Sequence, residues 1–477
     1  MKTLYLYGPP ASGKTTLGRR LSSALGCAFV DLDDAIVGRT GTSVPEIFAK
    51  EGESRFRALE SAELRRIGPA SAESRRVVAL GGGTLLSDEN RAFCERTGDV
   101  VCIETPPAEE RTRRISAAAG TRPLGDRAAE RAPHYASFPN RLAAWFDLGD
   151  SLVIVGRSLA PAFLAARPAV ADAAVANLYP GLFGGGSRPA EAASLVAAVP
   201  SGEEHKTIST VVSLWSAFVR AGLGRRDAVV AVGGGVTGDL TGFAAATFMR
   251  GIDWINVPTT LLSMSDASTG GKTGCDLAEG KNLAGAFHAP RLVVIDVEFL
   301  KTLPREILAA GKAEMIKHAL IGGRAKYPAF GRPAGVPFTP GEIAENLAVK
   351  VEIVRKDPFE RLGERLKLNC GHTVAHAVET LSGYSVSHGD AVAIGCVAEA
   401  RLALKRGLAP VGWPDEVAAA FTAEGLPAEL PEGMDWAKMV PVMRGDKKRT
   451  GSVVTFALPC GWGDVRAVPI DFGGDVS

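Results

Sequence analysis

The segment AVGGGVTGDLTGFAAATFMRGIDWINVPTTLLSMSDASTGGKTGCDLAEGKN, residues 231–282, decides how this chain is read. A short apolar strand over 229–232 runs into Gly233, Gly234 and Gly235, and Gly233, Gly235 and Gly238 fit a GxGxxG spacing. Glycine lets a backbone come close to a pyrophosphate, and the following helix offers that charge its free N–H groups. Taken alone, such a turn also serves plain packing. Arg250, Lys272 and Lys281 each stand beside a glycine, in MRG, GGKT and EGKN, where a cation meets a ligand with little hindrance. Around this segment, residues 152–299 alternate strands with helical patterns, which predicts parallel βα units.

The whole chain has 477 residues, 46% hydrophobic and 22% charged, enough for several domains with sizeable cores. A formal net charge of +1 argues against a nucleic-acid surface. The cysteines, 27, 94, 102, 275, 370, 396 and 460, form no CxxC pair and read as reduced thiols. The N-terminal apolar run is too short for a signal sequence, and no run of about 18 apolar residues appears. The expectation is a cytoplasmic protein.

Residues 1–147 read as a domain of their own. An alternating strand over 3–7 leads into GPPASGKTT, Gly8 to Thr16, which fits the P-loop pattern GxxxxGKT. In that pattern the loop N–H groups, with Gly8, Ser12, Gly13 and Thr16, surround phosphates. Lys14 reaches the transferred phosphoryl group, and the Thr15 hydroxyl can bind Mg²⁺. FVDLDDAI then places Asp31 and Asp33 at the end of a second strand, where they suit either Mg²⁺ and a hydroxyl acceptor or a helix N-cap. Arg57 and Glu60 follow in GESRFRALE, Gly81, Gly82 and Gly83 in VVALGGGTL, Arg122 in TRPL and Arg131 in ERAP.

In this order, P-loop, DxD, FRxxE, GGG, RPL and RxPxY resemble shikimate kinase over essentially the whole domain. The resemblance implies that Asp33, Arg57, Gly81, Gly82, Gly83 and Arg131 hold shikimate, the arginines gripping its carboxylate. It implies that Arg122 reaches over ATP from a lid, that Asp31 supports the Mg²⁺ bound by Thr15, and that Lys14 and Asp33 are catalytic in in-line phosphoryl transfer. Only eight residues separate Arg122 from Arg131, fewer than the family's lid, which implies slow turnover or leaking ATPase activity.

After a short junction at 148–151, the segment quoted first, with PTTLL, DASTGGKT and GKNLAGAFHAPRLVVID, resembles 3-dehydroquinate synthase within the sugar phosphate cyclases. The implied fold class is α/β: a P-loop kinase domain, then an α/β NAD-binding domain (152–299), then an all-helical metal and substrate domain (300–477). The implied NAD contacts are Glu203, Lys206, Gly233, Gly234, Gly235, Asp239, Thr259, Thr260, Lys272, Lys281 and Thr302. Where the family carries an Asp after its first strands, this chain is read as carrying Asn177.

In the last domain His372 and His376 stand four apart, so a helix would put them on one face. With His388 as a distant third, two histidines on a helix suggest zinc, although two core histidines would look the same. The resemblance implies instead that Glu314, His372 and His388 take Zn²⁺ (or Co²⁺) and that His376 faces the substrate phosphate. The family's HGE is here HGD, with Asp390. The implied substrate set is Arg250, Asp266, Lys272, Lys281, Asn282, Lys317, Lys350, Arg365, Asn369, His376 and Lys447, of which Asp266, Lys272, Lys317 and His376 are catalytic. So many cations around one pocket call for a substrate bearing both carboxylate and phosphate.

The implied chemistry is twofold: phosphorylation of shikimate by ATP, and conversion of 3-deoxy-D-arabino-heptulosonate 7-phosphate to 3-dehydroquinate and phosphate with NAD and zinc. These are nonconsecutive steps of one pathway, so channelling does not follow from fusion. Two alternatives stand: a kinase-like domain kept as a scaffold, and a cyclase making valiolone-type products. Family habit implies a homodimer through the synthase part. Residues 322–345, rich in Pro and Gly, read as a loop of unknown purpose.

Overall fold

Apolar runs such as LVIVGR, AVVAVG and LVVID form strands buried on both faces, the signature of a parallel sheet covered by helices. The computed structural model describes residues 2–69, 75–104, 130–184, 192–327, 336–445, 449–450 and 453–472. In the first region the strands are β1 (Thr3–Tyr7), β2 (Ala28–Asp31), β3 (Arg76–Ala79), β4 (Gly98–Ile103) and β5 (Arg141–Asp147). The second region supplies β6 (Leu152–Arg157), β7 (Pro168–Asp172), β8 (Ser194–Val199), β9 (Ala228–Gly233) and β10 (Asp253–Pro258). It also supplies the antiparallel hairpin β11 (Lys272–Leu277) and β12 (Gly280–Phe287), and finally β13 (Leu292–Asp296).

Both regions share one sheet of eleven strands in the order β2-β3-β1-β4-β5-β6-β13-β10-β9-β7-β8. Every neighbouring pair is parallel except β5 and β6, which pair antiparallel from Arg141↔Arg157 to Asp147↔Leu152. The turn between them closes with Leu148 N–H donating to Ser151 O at 2.9 Å. The regions therefore do more than abut. Open α/β sheets bind ligands outside the carboxyl ends of their strands. Because β5 and β6 run in opposite directions, those ends face opposite edges in the two regions.

Packing across the join is continuous. Helix Lys14–Leu25 buries Leu17, Leu21 and Leu25 in the same core as Val153, Val155, Leu292 and Val294. Full burial of a leucine contributes about 1.5–3 kcal/mol. Arg20 reaches Asp147 Oδ1 at 2.6 Å and Gly149 O at 2.7 Å. From the other side Arg355, at the end of helix Pro340–Lys356, donates to Asp147 O at 2.9 Å.

Beyond β13 the chain is helical, with helices Arg305–Gly322, Pro340–Lys356, His372–Leu381, His388–Lys405, Trp413–Thr422 and Trp436–Gly445. Local chemistry starts several of them: Thr339 and Glu342 form a capping box, and Ser387 caps at Asp390 N–H. The helical region also ends in a three-stranded antiparallel sheet, β14 (Arg449–Thr450), β15 (Val453–Gly461) and β16 (Asp464–Asp471). The purely helical expectation did not include it. Pro459 and Pro469 mask the strand signal of VVTFAL, and Gly463, at φ 81°, turns the hairpin. No helix among the described residues is long and apolar enough to cross a membrane.

Candidate active sites

At the carboxyl ends of the first region's strands, the P-loop folds around its own lysine. Lys14 Nζ donates to Gly8 O at 3.0 Å, Pro9 O at 2.7 Å and Ser12 Oγ at 3.4 Å. Thr15 Oγ1 donates to Asp31 Oδ2 at 2.7 Å, which brings together the two residues read as magnesium-supporting. Asp31 also caps the next helix through the N–H groups of Asp33 and Asp34, so the N-cap reading of this acid holds.

Across the cleft Arg57 is held by Glu60 at 2.6 Å and Glu53 at 3.0 Å. Glu60 is fully buried and accepts a further bond from Thr84 Oγ1 at 2.6 Å. A Cβ on Gly83 would come 2.6 Å from Arg57 Nη2, and one on Gly81 would come 2.4 Å from Glu60 Oε1. Both glycines are therefore required for the arginine to lie where it does. Gly82 O accepts from Tyr135 at 2.8 Å and Tyr7 at 3.3 Å, and Arg131 immediately precedes the short helix bearing Tyr135. Arg122 and the shortened lid lie outside the described residues.

In the second region, strand β9 delivers Gly233 and Gly234 to the start of helix Gly235–Thr247. The glycines divide their work. A Cβ on Gly242 would come 2.5 Å from Thr273 and one on Gly238 3.3 Å from Asn256, which is close helix–strand packing. Gly235 meets only Ala267, at 3.5 Å, and lines a cavity with Asp239, Ser268 and Lys272. Lys206 joins Asp239 at 2.7 Å, Asn282 Oδ1 at 2.7 Å and Glu203 at 3.8 Å. Thr259 N–H donates to Gly233 O at 2.9 Å, and Thr260 Oγ1 accepts from Ser263 N–H at 3.2 Å. Thr302 meets the Tyr179 hydroxyl at 2.7 Å.

Asn177 sits within helix Ala173–Leu178. The acid at the end of strand β7 is Asp172, which accepts from Ser201 Oγ at 2.8 Å and caps that helix. The resemblance aligns on Asn177, five residues further on.

The helical region brings three further predicted residues to one point. His388 Nε2 lies 3.2 Å and His372 Nε2 3.4 Å from Glu314 Oε1, and all three ligand atoms lie within 4.8 Å of one another. His372 Nδ1 is engaged by Cys370 O at 3.1 Å and His388 Nδ1 by Glu379 Oε1 at 3.4 Å, so both rings present Nε2 to the same oxygen. Such outer partners fix the tautomer a divalent ion needs. Burial would lower His388, but Glu314 and Glu379 hold it up to about 10, whereas burial and Lys317 push His372 down to about 4. The donor set fits Zn²⁺ or Co²⁺.

Asp266, on a π-helical turn at Ser263–Ala267, accepts from Lys350 at 2.8 Å and lies 3.4 Å from His318. Asp266, Glu314 and His318 form a second group with ligand atoms in reach of one ion. Glu314 is common to both groups, but Lys350 already neutralises Asp266, the carboxylate that only the second group needs, which favours the first group. Burial opposes ionisation of both acids, yet Lys350 and Lys317 for Asp266, and Lys317 for Glu314, hold them well below the usual range.

Arg365 Nε, Asn369 Nδ2, Ser268 Oγ and Thr269 Oγ1 are buried without a hydrogen-bond partner, and Arg365 Nη1 donates to Gly270 O at 3.2 Å, which ties the two stretches together. Lys281 pairs with Glu379 at 3.2 Å, and Lys272 pairs with Glu360. His376 stacks edge-on with His372 at 5.7 Å. Arg250 is exposed, at the end of a left-handed pair with Met249. Lys447 lies outside the described residues. Asp390 accepts from Ser387 Oγ at 2.8 Å, so the shorter acid of HGD still braces the serine that caps the helix of His388. Sequence reasoning missed Glu379, His318 and Asn346. His318 Nδ1 meets Asn346 Oδ1 at 2.9 Å, a contact between two helices that no spacing rule reveals.

Comparison with known proteins agrees with this geometry. Residues 10–143 match the family model for shikimate kinase, residues 196–310 that for the 3-dehydroquinate synthase N-terminal part, and residues 311–449 that for its C-terminal part. A 3-dehydroquinate synthase of Symbiobacterium thermophilum is 46% identical over 314 residues, 63% of this chain and 86% of that protein. One from Pelobacter propionicus is 40% identical over 67% of this chain and 91% of its own length. Among solved structures, the 2-epi-5-epi-valiolone synthase ValA of Streptomyces hygroscopicus, with NAD+ and Zn2+ bound, superposes with a TM-score of 0.58 at 27% identity. That match covers 71% of this chain and 96% of ValA. This chain belongs to the 3-dehydroquinate synthase family, with a shikimate kinase domain fused ahead of the synthase.

Proposed function

We propose that the chain catalyses two reactions of the shikimate pathway: phosphorylation of shikimate by ATP, and cyclisation of 3-deoxy-D-arabino-heptulosonate 7-phosphate to 3-dehydroquinate with loss of phosphate. In the first site Lys14, Thr15 and Asp31 hold ATP and Mg²⁺. Arg57 and Arg131 bind the shikimate carboxylate, and Asp33 orients the hydroxyl that attacks. In the second, NAD contributes a hydride acceptor and a divalent ion contributes Lewis acidity. Glu314, His372 and His388 hold that ion, while Lys206 and Asp239 lie beside the glycine turn that takes NAD. Asp172 is positioned for the adenosine ribose, as acids at strand ends are in this class of fold.

The observation that carries the synthase reading is the metal triad, together with unpartnered Arg365 Nε, Asn369 Nδ2, Ser268 Oγ and Thr269 Oγ1 on two stretches that Arg365 joins. Buried polar atoms without partners are costly, and a polyhydroxylated acid would satisfy all four. Arg365 and Lys350 suit its carboxylate; Lys272, Lys281, Lys317 and His376 suit its phosphate and hydroxyls. The valiolone reading, favoured by the likeness to ValA, needs no carboxylate partner and leaves Arg365 unexplained. We further propose a homodimer through the synthase part and a cytoplasmic location; a monomeric mass by light scattering would remove the first.

The decisive assay uses the full chain. A zinc-selective chelator is expected to abolish phosphate release from the heptulosonate and to spare shikimate phosphorylation, and Lys14→Ala to do the reverse. Preferred turnover of sedoheptulose 7-phosphate would overturn the substrate assignment, and a chelator-insensitive synthase the metal assignment.

A further inference from the structure

We propose that the seam between the kinase and synthase halves holds a small, doubly charged oxyanion of the phosphate type, clamped between Arg75 of one half and Arg167 of the other. Arg167 stands just before β7 and is only 8% exposed. Its Nε is buried without a partner, and among the described residues nothing accepts a hydrogen bond from its guanidinium. Arg75, just before β3, reaches across the seam: its Nη2 donates to Ala162 O at a long 3.3 Å, and its Nη1 is buried with no partner. One carbonyl is the only acceptor these two guanidinium groups find among the described residues.

Burial first, and then the Arg75 cation, push Arg167 down to about 10, so the two positive charges oppose one another. The Cys27 thiol acts on both arginines; the only carboxylate acting on Arg75 among the described residues is Asp99, and none acts on Arg167. Buried guanidinium groups without acceptors are among the costliest arrangements in a protein. An anion removes the cost on both sides. Guanidinium groups bind tetrahedral oxyanions through paired N–H donors, so two of them specify charge as well as shape. Arg167 is nearly closed to solvent, which disfavours a bulky ester over a free ion. Neither arginine belongs to the two active sites.

Cys27 reports on the site. Both arginines act on its thiol, and among the described cysteines it is the one not fully buried. Burial raises the thiol pKa and the two cations lower it, so neutralising them raises it further, and a bound ion also blocks access; both effects slow alkylation.

The test is the rate of Cys27 alkylation by iodoacetamide in the full chain, followed by peptide mass spectrometry at constant ionic strength. Titration with inorganic phosphate is expected to slow it saturably by about threefold or more, the effect of a half-unit rise in thiol pKa. Arg167→Met is expected to remove the phosphate dependence and to melt no lower than the parent protein in phosphate-free buffer. If Arg167→Met does not fold, Arg75→Gln replaces it in the same comparison. A phosphate-independent rate in the parent protein would overturn the proposal, as would an unchanged phosphate response in the variant. Equal protection by glycerol 3-phosphate would overturn the assignment to a small free ion.

Discussion

Glu379 offers the sharpest test of how the metal centre is held. Its Oε1 lies 3.4 Å from His388 Nδ1 and 3.2 Å from Lys281 Nζ, at 4% exposure. Burial would raise this carboxyl, but His388 and Lys281 hold it down to about 2. At such distances each attraction is about 5 kcal/mol at an effective dielectric constant near 20. Desolvation of the three groups offsets most of that. What remains is the cost of letting His388 rotate, which for outer partners of metal-binding histidines is about tenfold to a hundredfold in metal affinity, or ~1.4–2.7 kcal/mol. Glu379→Gln keeps the shape and removes the charge. Competition with a zinc chelator should show this loss of affinity, accompanied by a raised KM for the heptulosonate as Lys281 loses its anchor. A variant that binds zinc within about twofold of the parent would refute the argument, because the 3.4 Å contact would then orient nothing.

The same carboxyl predicts an acid response. Its folded value of about 2 lies below the ordinary ~4.3 of a glutamate, so its contribution is full above that value and fades as pH falls from about 4 to 2. Acid titration followed by near-UV circular dichroism should show a shallower loss in metal-free Glu379→Gln than in the metal-free parent. Gly389→Ala would drive a Cβ to 2.2 Å from Ala310 Cα and unseat the start of the helix bearing His388. A melting temperature lowered by a loss of about 1–3 kcal/mol, together with weakened zinc binding, is expected. In the kinase site Glu60→Gln removes the buried charge that holds Arg57 at 2.6 Å. The KM for shikimate should rise about tenfold or more, from a charge-assisted bond of ~1.5–3 kcal/mol, while the KM for ATP stays put.

Much of the site was legible because its residues sit in short local patterns. GPPASGKTT, GGGVTGDLTG and NCGHTVAH each put several functional groups on one turn or one helix start. What escaped depends on contacts between distant elements. Glu379 meets Lys281 across 98 positions, and His318 meets Asn346 across 28, neither within a motif. Asp172 was passed over for another reason: in PAVADAAVANL the resemblance aligns on Asn177, although Asp172 itself marks the end of β7 and caps the next helix. The hairpin at 453–471 was lost to its prolines. The shared sheet was invisible in principle, since pairing between β5 and β6 looks in sequence like two strands that happen to flank a turn.

That antiparallel pairing has a consequence for any attempt to dissect the molecule. Severing the polypeptide at 148–151 would not liberate two ready-made enzymes. Each fragment would inherit a raw border of unbonded amides along Arg141–Asp147 or Leu152–Arg157, and a greasy flank that its counterpart had covered. Such borders recruit one another, so the fragments should clump unless both are present together to re-anneal.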